Sequence, residues 1–141
     1  MDLSINVQNI ILNIRVAIIL KTPNGFLFEK HKNGYFFLTG GRAKINESSQ
    51  EAAQREVLEE IEMQVKNLNL YSVMENFFTE QNNKVHEICF VYKTEEIFTG
   101  KIPEGFIEIS GEDLNKYDIK PKQIVDLLID KNSSFKHVVI K

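Results

Sequence analysis

One helix limits what this 141-residue chain can fold into. Ser48 is followed three positions on by Glu51, a capping box that satisfies orphan backbone donors and puts the first helical turn near Ser49. From there Ala53, Val57 and Ile61 recur every four residues as an apolar stripe that needs a core to pack on. Beside the stripe stand Glu56, Glu59 and Glu60. At about 100° per residue the three acids share a sector of roughly 100°. Like charges at i, i+3 and i+4 cost roughly 0.2–0.5 kcal/mol a pair. Either solvent absorbs that cost, the usual fate of an acidic helix face, or a divalent cation converts it into binding. Hard cations such as Mg²⁺ take carboxylate oxygens and fill their remaining positions with water and phosphate oxygens.

Strand patterns flank this helix. Ile10, Leu12, Ile14, Val16, Ile18 and Leu20 put an apolar face on one side of a strand, with Asn13, Arg15, Ala17 and Ile19 on the other. Pro23-Asn24-Gly25 turns the chain, and Phe26 to Lys30 returns as the second arm of a hairpin. After Asn33-Gly34 comes a short apolar run, Tyr35 to Leu38, and then Gly40-Gly41, read as a turn where backbone approaches a ligand unobstructed. Beyond the helix, Val65 to Thr79 and Val85 to Lys93 read as strands, and Phe106 to Ile109 as a short one. Gly111 to Tyr117 suits a helical turn. Pro121 suits the first position of a helix running to about Ile129, and Phe135 to Ile140 a last extended segment. Strands on both sides of a central helix, with a second helix near the C-terminus, suggest a mixed sheet packed between helices.

Composition bounds the rest. The chain is the size of one domain, residues 1–141, with 43% apolar and 26% charged residues, as in ordinary globular proteins. A net charge of −3 supplies no global attraction for nucleic acid or an anionic membrane, so a polyanionic substrate needs a cation or local Lys and Arg. The single cysteine, Cys89, lies in an apolar strand and reads as a buried thiol. A lone cysteine and no recognisable leader segment point to the cytoplasm. The apolar run from Ile10 to Leu20 is too short to span a bilayer. Tyr35, Phe36 and Phe37 could stack a base, although strand spacing fits a core equally well.

The run from Gly41 to Met63 resembles the Nudix box. That pattern is Gly, five residues, Glu, seven residues, Arg-Glu-apolar, one residue, Glu-Glu, one residue, Gly, apolar. Gly41, Glu47, Arg55, Glu56, Val57, Glu59, Glu60 and Met63 stand at the matching positions. Six such Gly, Glu and Arg identities arise by chance on the order of once in 10⁷ to 10⁸ starting positions. Glu62 departs from the family glycine, which falls on the helix cap and removes no acid. Thr39, where many members have proline, loosens the approach to the box.

The resemblance implies an α/β/α sandwich of the Nudix type, as in small MutT-like proteins. It implies a hydrolase that cleaves a pyrophosphate bond in a nucleoside diphosphate linked to another moiety, with Mg²⁺ or Mn²⁺. Glu56, Glu59 and Glu60 are then metal ligands, with the Gly40 carbonyl as a further one. Arg55 orients a carboxylate, Glu47 braces Arg55, and Gly41 shapes the box. Arg42 and Lys44 could contact phosphates or simply face solvent. The general base is open between a box glutamate and a later acid, with Glu95 and Glu87 as candidates. The implied partner is a small nucleotide; a homodimer rests on family analogy alone. Two other readings remain: a non-catalytic Nudix-fold regulator that binds a nucleotide metabolite, and an isoprenoid diphosphate isomerase, which would want a reactive cysteine. The first is opposed by the intact acids, the second by the setting of Cys89.

Overall fold

The computed structural model describes residues 1–132 and 134–141. The elements are β1 (Ser4–Val7), β2 (Ile10–Thr22), β3 (Gly25–Lys30), β4 (Phe36–Arg42), α1 (Ser49–Ile61), β5 (Asn69–Glu80), β6 (Asn83–Ile97), β7 (Phe106–Ile109), a 3₁₀ turn (Gly111–Lys116), α2 (Gln123–Ile129) and β8 (Lys136–Ile140). Strand order is β7-β3-β4-β2-β6-β5-β8, with β1 paired to β2. The sheet is mixed: β2 runs parallel to β6 and β8 parallel to β5, whereas the other pairs are antiparallel.

Strand β2 is buried on both faces because side chains alternate across the pleat. Val16, Ile18 and Leu20 pack with Ala52, Ala53, Val57 and Ile61 of α1. Ala17 and Ile19 pack on the opposite side, with Leu114 of the 3₁₀ turn and with Ile124 and Leu127 of α2. Helices thus cover both faces, giving the α/β/α arrangement expected. At the start of α1 the Ser48 side chain accepts from the Glu51 amide at 3.1 Å, and the Glu51 carboxylate accepts from the Ser48 amide at 2.8 Å.

Strands β2, β3 and β4 are mutually antiparallel. β3 meets β2 only at Lys21–Phe26 and Thr22–Gly25, then pairs with β4 from Phe28 onward. β4 in turn leaves β3 and pairs with β2 from Thr39 to Arg42. No flat sheet holds three strands each antiparallel to both others. The β2–β3 hairpin must bend out of plane where β4 passes from one partner to the other.

Several expectations shift. Gly40 and Gly41 belong to β4, opposite Ala17 and Val16, and form no turn; Thr39, buried opposite Ile18, is likewise mid-strand. β5 starts at Asn69 and not at Val65; Val65 and Leu68 are buried in the segment before it, so burial rather than pairing explains that apolar run. α2 starts at Gln123 with Lys122 as its cap, two residues after Pro121. β1 carries no strand signal of its own and exists as the partner of Ile10–Asn13, across a turn whose Gln8 and Asn9 have φ of 49° and 70°. β8 uses Lys136 to Ile140 of the expected final segment.

Glu62 ends α1 in the left-handed region, φ 57° and ψ 31°, with its amide donating to the Leu58 carbonyl. That conformation is strained for a side-chain-bearing residue and free for glycine. Glu62→Gly is therefore expected to stabilise the fold by about 0.5–1 kcal/mol, read as a rise in urea midpoint at unchanged m-value.

Candidate active site

The close approach of α1 to β4 shapes the site. A Cβ on Gly41 would sit 2.5 Å from the carboxyl carbon of Glu56, so the missing side chain is the room that the Glu56 carboxylate occupies. A Cβ on Gly40 would strike the Val16 carbonyl, so Gly40 admits the backbone of β2 while Gly41 admits the carboxylate from α1. Glu56 is consequently buried, 8% exposed, at the edge of the α1 core. Burial pushes its carboxyl up, Arg55 pulls it back down, and the charges of Glu59 and Glu60 add to the rise.

Arg55 answers that buried charge. Its guanidinium has five N–H donors, and the contacts made here match that number. Nε and Nη2 donate to the two oxygens of Glu47 at 2.7 and 3.0 Å, a bidentate fork. Nη1 donates to Glu56 at 2.9 Å and Glu59 at 3.2 Å. Nη2 also donates to the Arg42 carbonyl at 3.1 Å. Glu47 further accepts from the Lys44 amide at 2.9 Å. The fork to Arg55 holds the Glu47 carboxyl below the usual carboxylate range, and Glu47 in turn raises Arg55. One arginine thus joins the end of β4, the loop 43–48 and the acids of α1.

A fourth acid, absent from the sequence reading, faces this group. Glu29 lies on β3, half-buried, and its carboxyl is pushed up to about 7, first by burial and then by the charge of Glu60; Arg15 pulls it down and Glu56 raises it further. Among the described residues no three His, Cys, Asp or Glu side chains form a ready-made cage.

The later acids lie elsewhere. Glu95 is exposed and pairs with Lys21 at 3.7 Å, next to the irregularity where β2 and β6 change register. Glu87 stands opposite Asn13 of β2 and Asn76 of β5, on the face away from α1. Arg42 is exposed, and Lys44 is half-buried in an isolated bridge with Asp2. Cys89 is buried and its thiol is pushed up to about 12, which suits a core and not a nucleophile. The parity of β6 against β2 was the available signal for Glu87. Nothing local signalled Glu29.

The NUDIX domain model matches residues 11–132. The chain belongs to the Nudix family of hydrolases. Similar solved structures include a MutT protein of Bacillus halodurans (TM-score 0.71, 20% identity, 89% of this chain and 86% of that one). An ADP-ribose pyrophosphatase of Streptococcus suis superposes with TM-score 0.61 at 13% identity, over 90% and 98% of the two chains. The Ap4A hydrolase of C. elegans does so at 0.60 and 15%, over 83% and 93%. Identities this low carry the fold and not the substrate. A search of curated protein sequences found no match. No helix among the described residues of this Nudix protein is long and apolar enough to cross a membrane.

Lysine has three donors and no planar fork, so Arg55→Lys cannot keep Glu47 and Glu56 paired together. A loss of about 2–3 kcal/mol in urea unfolding is expected; an unchanged midpoint would contradict the bracing role. Glu29 gives a pH-dependent expectation. Its folded value of about 7 lies above the ordinary 4.5, so ionising it destabilises the fold as pH rises from about 4.5, fully above about 7. Glu29→Gln, with EDTA present, should raise Tm by about 3 °C at pH 8, on the order of 1 kcal/mol, and leave it unchanged at pH 4. Equal shifts at both pH values would show that the charge is not the cause.

Proposed function

We propose that this Nudix protein is a divalent-cation-dependent pyrophosphohydrolase. Its substrate is a nucleoside diphosphate joined to another group, as in a nucleoside triphosphate, a nucleotide sugar or ADP-ribose. The observation that carries this reading is the Glu56 carboxylate, buried in the gap left by Gly41, with Glu59 and Glu60 within four residues on the same helix. Arg55 offsets part of the cost of moving that carboxylate out of water toward further acids, yet burial still leaves it raised, and a bound cation would offset the rest. The similar structures support the same class, since MutT, ADP-ribose pyrophosphatase and Ap4A hydrolase are names of nucleotide-processing proteins.

The donor set fits Mg²⁺ or Mn²⁺. It is all oxygen, and Mg²⁺ keeps several waters and substrate phosphates, so it needs no complete protein cage. Glu56, Glu59, Glu60 and the Gly40 carbonyl would hold the ion. When bound, it supplies charge neutralisation on the phosphate oxygens and a water more readily deprotonated. The chain's own residues do the rest. Arg55 fixes the direction of Glu56 and Glu59, and Glu47 fixes Arg55. Arg42 and Lys44, at the mouth of the box, are the cations available to phosphate in a chain of net charge −3. For an acid beyond the box, the setting of Glu29 beside Glu56 and Glu60 favours it over Glu95, paired with Lys21, and over Glu87 on the other face. The bulk of phosphoanhydride catalysis is such positioning and charge stabilisation.

The test is a substrate panel with Mg²⁺ and Mn²⁺, read by product identity. Turnover should stop with EDTA. Glu59→Gln and Glu60→Gln should each lower kcat by about 10²-fold or more, at least the effect of removing an outer-shell partner. Near-wild-type turnover in both variants would remove the cation-site assignment.

A further inference from the structure

On the side of the sheet away from α1, a small pocket opens beside Arg15. Ala17, Met74, Cys89 and Ile124 give it an apolar floor, and Phe37 and Lys120 stand at its rim. Its volume is about 50 Å³. That is far below the roughly 300–1,000 Å³ of a pocket that encloses a small molecule, so at most the edge of a flat ring enters it. Asn13, Glu87 and Asn76 form one row across β2, β6 and β5, and Glu87 and Asn76 line the pocket.

In this row the Asn13 amide acts on the Glu87 carboxyl. Among the described residues the Asn13 carbonyl has no partner and no cation pairs with Glu87. The nearby cation, Arg15, lies 5.7 Å over the Phe37 ring instead. Asn13 is 6% exposed and its Oδ1 has no hydrogen-bond partner. Burial pushes the Glu87 carboxyl up, which Arg15 and the Asn13 amide only oppose. A desolvated carboxylate beside an orphaned carbonyl costs several kcal/mol unless donors arrive from outside the chain.

We propose that Glu87 is a specificity-determining residue that accepts the adjacent N–H donors of a guanine-type base, with Asn76 beside it and Phe37 against the ring. This rests on the hydrolase reading only for what the base is attached to. A guanine edge offers two neighbouring donors, N1–H and the exocyclic amine, which match the two carboxylate oxygens. Adenine sets the N1 lone pair against that carboxylate. Cytosine does the same with N3, and uracil flanks its one donor with two carbonyls. Sites built to hydrogen-bond a group discriminate against analogues lacking it far more strongly than apolar pockets do.

The test separates binding from turnover. GMP, AMP, CMP and UMP are titrated calorimetrically into the wild-type protein with EDTA, and kcat and KM are measured for GTP and ATP with Mg²⁺. GMP should bind at least ~10-fold tighter than the others, a difference of about 1.4 kcal/mol. Glu87→Gln, which keeps the shape and removes one acceptor, should reduce that preference to ~3-fold or less. Glu87→Asp, which withdraws both oxygens, should weaken GMP while leaving AMP unchanged. Both variants should raise KM for GTP at constant kcat. Wild-type binding without base preference overturns the proposal, as does a Glu87→Gln variant that lowers kcat for GTP and ATP alike. Turnover without base preference keeps the hydrolase reading and overturns this one; guanine-selective binding without turnover does the reverse.

Discussion

The five-donor contact set of Arg55 is the constraint on which the site depends. Sited in mid-helix, it reaches Glu47 in the loop, the carbonyl of Arg42 at the end of β4, and the carboxylates of Glu56 and Glu59. The loop is tied by backbone bonds to the N-terminal segment and to Ile14, and Glu56 is an acid at the margin of an apolar core. A planar, permanently charged group is the side chain able to satisfy all of those acceptors from one position. The stripe of Ala53, Val57 and Ile61 fixes where α1 lies, and Arg55 fixes what its edge can do.

Steric absence does comparable work. Gly40 and Gly41 are adjacent residues of one strand, so their missing side chains face opposite ways. One lets the backbone of β2 come close and the other admits Glu56. The strands then converge as a triangle of antiparallel partners, and that brings Glu29 of β3 toward Glu56 and Glu60 of α1, far along the chain.

Features set by neighbours in sequence were legible, and features set by long-range packing were not. The Ser48–Glu51 box, the α1 stripe and the alternation in β2 each follow from a few consecutive residues, and each is present as read. The glycine pair was misread because glycine marks turns and close approaches alike, and only the position of α1 separates the two. Glu95 attracted attention by ending a strand, yet the register irregularity near it turns it toward Lys21 and solvent. Glu87 interrupts an apolar strand, as the sequence indicated, but the face it occupies follows from its pairing with Asn13. Glu29 sits in an unremarkable hairpin arm and gains its surroundings only when β3 and β4 come together. The family resemblance supplied the acids of one helix; the walls facing that helix had to come from the fold.

The two-sided burial of β2 has an evolutionary consequence. Val16 and Ile18 support the helix that carries the box, while Asn13, Arg15 and Ala17 face the opposite compartment. Ala17 and Ile19 are held by that second core, but a change at Asn13, beside Glu87, touches no residue of the box face. Arg15 is the exception, because its charge acts on both Glu29 and Glu87 and so ties the two histories together. A single inserted residue in β2 would exchange the faces and forfeit both sets of contacts at once. Descendants of such a chain should vary in what they recognise far more readily than in the length of this strand.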